Sequence, residues 1–155
     1  GINKVQFYVN GGLTKASEES PHVFNWETDK IPNGKYTIDA LVYDTRNQTA
    51  QDTINLVRIP HAPLNFSGTK QNNSSVLLEE YVNVLSWQAN DLNTSVGKYR
   101  IYQKEGTDWL ILVELKADSS TYWHRNVAKD EKYAYMIKAV DGQNIEGQPT
   151  YLELQ

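Results

Sequence analysis

A chain of 155 residues is long enough for one domain or two small ones. Its net charge of −4, with acidic and basic residues interspersed, leaves no basic footprint for nucleic acid. The absence of cysteine excludes a disulfide scaffold, a thiolate metal site and a cysteine nucleophile. With 39% hydrophobic residues, three Phe, four Trp and ten Tyr against a single Met, the core must be built from few, large side chains suited to strands. No apolar run approaches the roughly 18 residues of a membrane helix.

In chain order, residues 4–9 (KVQFYV) alternate, with Val5, Phe7 and Val9 on one face and Lys4, Gln6 and Tyr8 on the other. Asn10-Gly11-Gly12 follows as a hairpin turn, because Asn and Gly accept positive φ cheaply. After a polar stretch, Pro21 introduces HVFNWET, a strand with His22, Phe24 and Trp26 on one face. Ile31-Pro32-Asn33-Gly34 turns into KYTIDALVYD, where Tyr36, Ile38, Ala40 and Val42 alternate with Lys35, Thr37, Asp39 and Leu41. Asp44–Asn47 turns the chain again, and Thr53–Ile59 forms the last strand of this half.

VQFYVNGG, PHVFNWET and IPNGKYTIDALVYDTRNQTA together resemble a bacterial immunoglobulin-like repeat over residues 2–59. The resemblance implies an extracellular sandwich module. Repeats of that family carry two further strands ahead of the first one seen here, so either the sequence begins inside the domain or the domain is a shortened one. Both readings imply an open strand edge and part of a core face left bare.

Pro60-His61-Ala62-Pro63 reads as a short, stiff linker between a first module, 1–59, and a second, 64–155. Leu64 and Phe66 suggest a short edge strand, Gln71–Ser75 a turn, and Val76-Leu77-Leu78 a return towards the module. Strands follow at Tyr81–Trp87, KYRIYQK, WLILVEL, TYWHR, Tyr133–Val140 and through Tyr151–Leu154, separated by Asn-, Asp-, Ser- and Gly-rich turns. Asp130–Gln143 has the clearest period of two: Tyr133, Tyr135, Ile137 and Ala139 against Ala134, Met136, Lys138 and Val140, closed by Asp141-Gly142. Seven short strands at this spacing, without helical period, predict an antiparallel sandwich. The fold class expected for the whole chain is therefore all-β, as two consecutive antiparallel β-sandwich modules.

Leu85-Ser86-Trp87, Tyr99-Arg100-Ile101-Tyr102, Val127, Tyr133-Ala134-Tyr135 and Ala139-Val140-Asp141 resemble a fibronectin type III domain across residues 62–155. The resemblance implies that Trp87 packs centrally and that Tyr133, entering the sixth strand, makes the corner hydrogen bond. Trp26, Tyr36 and Tyr99 complete the expected structural core. Asn83 departs from the pattern, standing where an apolar residue is usual, while Val82 and Val84 fall on the nominally outer face. One explanation is that residues 69–80 fold over that face.

Little in the chain signals chemistry. The three histidines, His22, His61 and His124, are scattered, and no metalloprotease pair or phosphate loop accompanies them. No catalytic residue, metal ligand or cofactor is therefore assigned. Asp44 with Asn47, Asn90 with Asp91 and Asn93, and Asp141 with Asn144 could supply oxygen ligands to calcium, but ordinary turn-making explains each. Sequons beginning at Asn47, Asn65, Asn72 or Asn73 and Asn93 read as compositional. Tyr102, Trp109, Tyr122 and Trp123, on three neighbouring strands, form a candidate platform on which sugar rings could stack. The expectation is a pair of non-catalytic modules that space, present or dock, from a secreted or cell-surface bacterial protein. Their partners would be neighbouring domains of the same polypeptide or another surface protein, with no nucleic acid and no membrane insertion in this segment. The alternative is a carbohydrate-binding accessory region of a polysaccharide-active enzyme.

Overall fold

Alternation in the first half dictates a sheet, and the computed structural model, which describes all 155 residues, shows it. The chain is all-β and antiparallel, with eleven strands in two compact units, Gly1–Arg58 and Ile59–Gln155. In the first unit β1 (Ile2–Val9), β2 (Gly12–Ser17), β3 (Gly34–Asp44) and β4 (Thr49–Arg58) form one sheet of order β2-β1-β3-β4. Asn10 and Gly11 adopt the positive φ that the β1–β2 turn requires. β2 was not legible, because GLTKAS has no apolar alternation; pairing with β1 across the turn imposes it.

The strand expected at 22–28 is a correction. His22, Phe24 and Trp26 do alternate with exposed Val23, Asn25 and Glu27, but the segment joins no ladder, because no strand lies beside it to exchange backbone bonds. It lies across the sheet as a second layer. Phe24 stacks on Phe7 (centroids 5.3 Å) and Trp26 meets the Tyr36 ring edge-on at 5.1 Å. Lys15 Nζ donates to Val23 O (2.6 Å) and Arg58 Nε to Thr28 O (2.7 Å), fixing the segment at both ends. Trp26 and Tyr36 are therefore half-buried, beside an open groove of about 230 Å³ shared with Ile38, Ala40 and Ile54. The Tyr36 hydroxyl donates to Pro32 O at 2.7 Å.

The second unit closes. β5 (Leu64–Asn72), β6 (Tyr81–Gln88) and β9 (Thr121–Arg125) make one sheet, ordered β5-β6-β9. β7 (Lys98–Glu105), β8 (Asp108–Lys116), β10 (Tyr133–Val140) and β11 (Glu146–Leu154) make the other, ordered β11-β10-β7-β8. Phe66, Leu85, Trp87, Tyr99, Ile101, Tyr135, Ile137 and Ala139 form the core between them. Trp87 packs edge-on against Tyr99, ring centroids 5.4 Å apart. The hydroxyl of half-buried Tyr133 accepts a hydrogen bond from Ala128 N at 2.9 Å, tying the turn before β10 to the strand it feeds.

Three further expectations are corrected. Residues 60–63 are part of the second unit: Pro60 is fully buried, and His61 N donates to Asn93 Oδ1 while Asn93 Nδ2 donates to His61 O. Gln148 N donates to Pro60 O, and a Cβ at Gly147 would stand 2.4 Å from that same oxygen, so only glycine permits this approach. Of the 69–80 segment expected over β6, residues 69–72 instead lengthen β5, with Thr69 paired to Val84 and Gln71 to Val82, because ladder hydrogen bonds hold them in the sheet; Val82 is nonetheless fully buried and Val84 half-buried. Val76 and Leu77 do not return to the module but stand 102% and 96% exposed at the apex of a turn closed by Ser75 N to Leu78 O. The polar base of that turn, where Asn73 Nδ2 donates to Glu80 Oε2 and Glu80 pairs with Arg125, anchors it so firmly that its apolar tip projects.

Candidate functional site

The outer face of the β11-β10-β7-β8 sheet gathers the most unusual set of side chains. Because Tyr99, Ile101, Tyr135 and Ile137 point into the core, alternation sends Arg100, Tyr102, Met136 and Lys138 outward. A register shift between Ile101 and Tyr102 keeps Trp109 and Ile111 of β8 on that side. On the other edge Tyr151 stands opposite Met136. Trp109 and Tyr151 thus come from the two edge strands, yet their rings meet, centroids 5.6 Å apart and tilted by 51°. They arch over the two strands between them, which explains why Tyr102 and Met136 are buried on a face that otherwise looks to solvent. Ile111 and Tyr151 remain 57% and 58% exposed at the rim.

Beside the arch runs a band of charge. Arg100 pairs with Glu114 and Glu146, Lys98 with Glu114 (2.9 Å) and Lys138 with Glu146 (2.7 Å). Tyr102 donates its hydroxyl to Glu146, and Lys138 Nζ lies 5.4 Å from the centre of the Tyr102 ring. Burial alone would raise the Glu146 pKa, but hydrogen bonds from Lys138, Tyr102 and Arg100 outweigh it and bring it down to about 2. Burial, with the bond to Glu146, pushes the Tyr102 phenol up. Three cations, Lys98, Arg100 and Lys138, share two carboxylates, Glu114 and Glu146, in one ion-pair network beside the aromatic arch.

The four aromatics of the expected platform do not share a face. Tyr102 is buried beneath the arch and Trp109 forms half of it, whereas Tyr122 and Trp123 lie on β9, in the opposite sheet. Tyr122 packs against the core and Trp123, its sequence neighbour, points away from it, 46% exposed. Strand proximity in sequence could not reveal this, because the consecutive strands β8 and β9 belong to different sheets. Tyr151 was missed as a member of the site, as were Glu146 and Arg100. Only the sheet order brings them together, although the outward spacing of Arg100 and Tyr102 was readable.

A second polar cluster is internal. Asn83 Nδ2 donates to the Tyr135 hydroxyl (2.6 Å), which sits 2.8 Å from His124 Nδ1. With one lone pair engaged by Asn83, the phenol proton is free to go to His124, which then accepts as the neutral ring. Burial depresses the His124 pKa and raises that of Tyr135 to about 12, which suits this arrangement. Asn83 thus has a polar partner waiting across the core.

The oxygen-rich clusters weighed for calcium are spent on turns. Asp44 Oδ1 accepts from Arg46 N and Gln48 N, both at 2.8 Å; Asp141 Oδ1 accepts from Gln143 N and Ile145 N at 2.9 and 2.8 Å. Asn90 Oδ1 accepts from Leu92 N at 3.1 Å and Asn93 Oδ1 from His61 N at 2.7 Å.

Residues 1–40 match the family model described as a bacterial Ig domain. No curated protein matches the chain. Among solved structures, a two-domain fibronectin type III segment from chicken tenascin is similar with a TM-score of 0.55 and 17% identity, covering 100% of this chain and 84% of that one. A structure described as FN3tt mut gives a TM-score of 0.51 at 15% identity, over 63% of this chain and 96% of that one. An Fn3-like protein from Clostridium thermocellum gives 0.46 at 21% identity, over 60% of this chain and 88% of that one. The first two show a fibronectin type III fold; the immunoglobulin-like likeness rests on the family match over residues 1–40.

Proposed function

We propose that the two units are non-catalytic interaction modules of a larger secreted or cell-surface bacterial protein, which space, present or dock its other parts. The observation that carries this reading is the arch of Trp109 and Tyr151 over Tyr102 and Met136, with Ile111 exposed at its rim. Fixed aromatic anchors beside a charged band have the composition of a protein-docking patch. The mixed ion-pair network beside an apolar arch suits a partner surface that is itself apolar with a charged rim, such as a neighbouring domain of the same polypeptide or another surface protein. An extracellular location accords with the bacterial Ig match over residues 1–40. The carbohydrate reading is weaker, because stacking platforms need coplanar exposed rings, whereas Trp109 and Tyr151 tilt by 51° and Trp123 lies on the other sheet.

The test is titration of the chain against separately expressed neighbouring domains of its parent polypeptide, alongside retention on cellulose, xylan and peptidoglycan. Binding to a neighbouring domain that falls about tenfold or more in Trp109→Ala supports docking. Retention on a polysaccharide that is lost in Trp109→Ala or Trp123→Ala would transfer the assignment to carbohydrate.

A further inference from the structure

The interior of the second unit holds a polar chain that crosses from one sheet to the other. Asn83 of β6 and His124 of β9 stand opposite each other in their ladder. Tyr135 reaches them from β10 in the facing sheet, its hydroxyl 2.6 Å from Asn83 Nδ2 and 2.8 Å from His124 Nδ1. Asn83 and Tyr135 are fully buried. Tyrosine rings surround the half-buried imidazole: Tyr122 lies parallel to it at 6.5 Å, and Tyr133 and Tyr135 meet it edge-on, both at 5.8 Å. The charges around this group are engaged elsewhere. Lys70 of β5 is held by the carbonyls of Ala128, Lys129 and Glu131, the Glu131 carboxylate meets the Tyr133 hydroxyl, and Arg125 pairs with Glu80. The imidazole therefore bonds to Tyr135 and to no carboxylate.

A hydroxyl has one proton to give, and this sets the direction of the chain. With His124 neutral, Asn83 donates to Tyr135 and Tyr135 to His124, so Asn83 Oδ1 is left buried without a partner. A proton on Nδ1 makes that nitrogen a donor. The Tyr135 oxygen then faces two donors, and its own proton has no acceptor at a fully buried position, which is costly.

We infer that Asn83, Tyr135 and His124 form a reversible clasp between the sheets, whose hydrogen bonds change direction when His124 takes up a proton. A half-turn of the Asn83 carboxamide presents Oδ1 to the Tyr135 hydroxyl, whose proton swings from His124 to Asn83. His124 Nδ1 then donates to Tyr135 and Tyr135 to Asn83. Carboxamide oxygen and nitrogen are nearly alike in size, so the same space holds both orientations. The unpartnered atom becomes Nδ2 in place of Oδ1, and the sheets stay bonded in either state. An apolar residue at 83 would serve the neutral state alone, which accounts for a buried Asn at that position. The clasp lies inside the second unit and stands independently of docking by its outer face.

Heteronuclear NMR of the 155-residue chain, titrated from about pH 8 to about pH 4, follows the His124 ring nitrogens and the Asn83 carboxamide together. Above the midpoint the ring should carry its proton on Nε2, and the Asn83 amide signals should shift with the same midpoint as the ring. Asn83→Leu should lower the His124 midpoint by about one pH unit or more, because the charged ring loses the acceptor at the end of its chain. If Asn83 were a fixed donor instead, its removal would leave the midpoint unchanged or raise it. A proton on Nδ1 at neutral pH, an Asn83 amide indifferent to the His124 titration, or a ring that stays neutral until the fold is lost overturns the proposal in the unaltered chain. An unmoved or raised midpoint in folded Asn83→Leu overturns it independently.

Discussion

The two units end on the same device and differ in what faces it. In the first, Tyr36 enters β3, its hydroxyl bonds the upstream backbone, and Asp44 folds the following turn around its own carboxylate. In the second, Tyr133 enters β10, bonds Ala128 N, and Asp141 builds the equivalent turn, with Asn47 and Asn144 both at positive φ. Only the second unit sets a complete sheet opposite this strand pair. There Tyr135 and Ile137 vanish from solvent, while the corresponding Ile38 stays half-covered beneath a single irregular segment. The strand pair supplies local geometry; burial depends on the facing layer.

The sharpest way to break this comparison is to remove the central tryptophan of each unit. Trp87→Ala should cost about 3–5 kcal/mol in denaturant unfolding, as a large-to-small change in a closed core. Trp26→Ala, at a half-buried position, should cost about half of that or less. Equal losses would mean that the first unit is as well packed as the second.

The turns should rank the same way, more gently. Asp141→Ala removes the acceptor of two backbone N–H groups at a buried position, and about 1–3 kcal/mol is expected. Asp44→Ala removes the same two bonds nearer solvent and should cost about 1 kcal/mol. Chemical denaturation of the two variants compares them directly.

Acid should separate the units last and least. The folded pKa of Glu146 is lowered, so its contribution is present above about 4.5 and is lost as pH falls towards about 2. The folded pKa of His124 is also lowered. Below the ordinary value near 6.5 the unfolded chain takes up a proton that the folded one resists, and stability falls with pH from there downward. Both groups belong to the second unit. Melting followed between pH 7 and pH 2 should show its transition moving down in both windows, and His124→Asn should flatten the upper one. An upper window unchanged in His124→Asn would remove His124 as its cause.

Much of the fold was legible because strand alternation is a local property. Tyr133–Val140 announces itself through period two and an Asp-Gly turn, and so does Lys35–Asp44. At 22–28 the alternation correctly marks which side chains face the sheet, yet a ladder also needs a neighbour, and no local pattern reports one. Val76-Leu77-Leu78 misled in the opposite sense: apolar residues suggest burial, but the hydrogen-bonded base at Asn73 and Glu80 decides where the tip points. The arch was illegible for a topological reason. Trp109 and Tyr151 meet only because β8 and β11 are the two edges of one sheet and their side chains span the strands between.

The seating of Pro60 against Gly147 has a mechanical consequence. Tension entering the second unit through Ile59 arrives at a proline wedged onto β11, with Asn90 and Asn93 gripping the next two residues and Thr150 Oγ1 bonded to Pro63 O. The load is therefore shared between the β11 strand and the 90–93 loop before it reaches the first ladder bond of β5. A pull on the chain is met by several short bonds in parallel, so β5 is shielded from being peeled away one pair at a time.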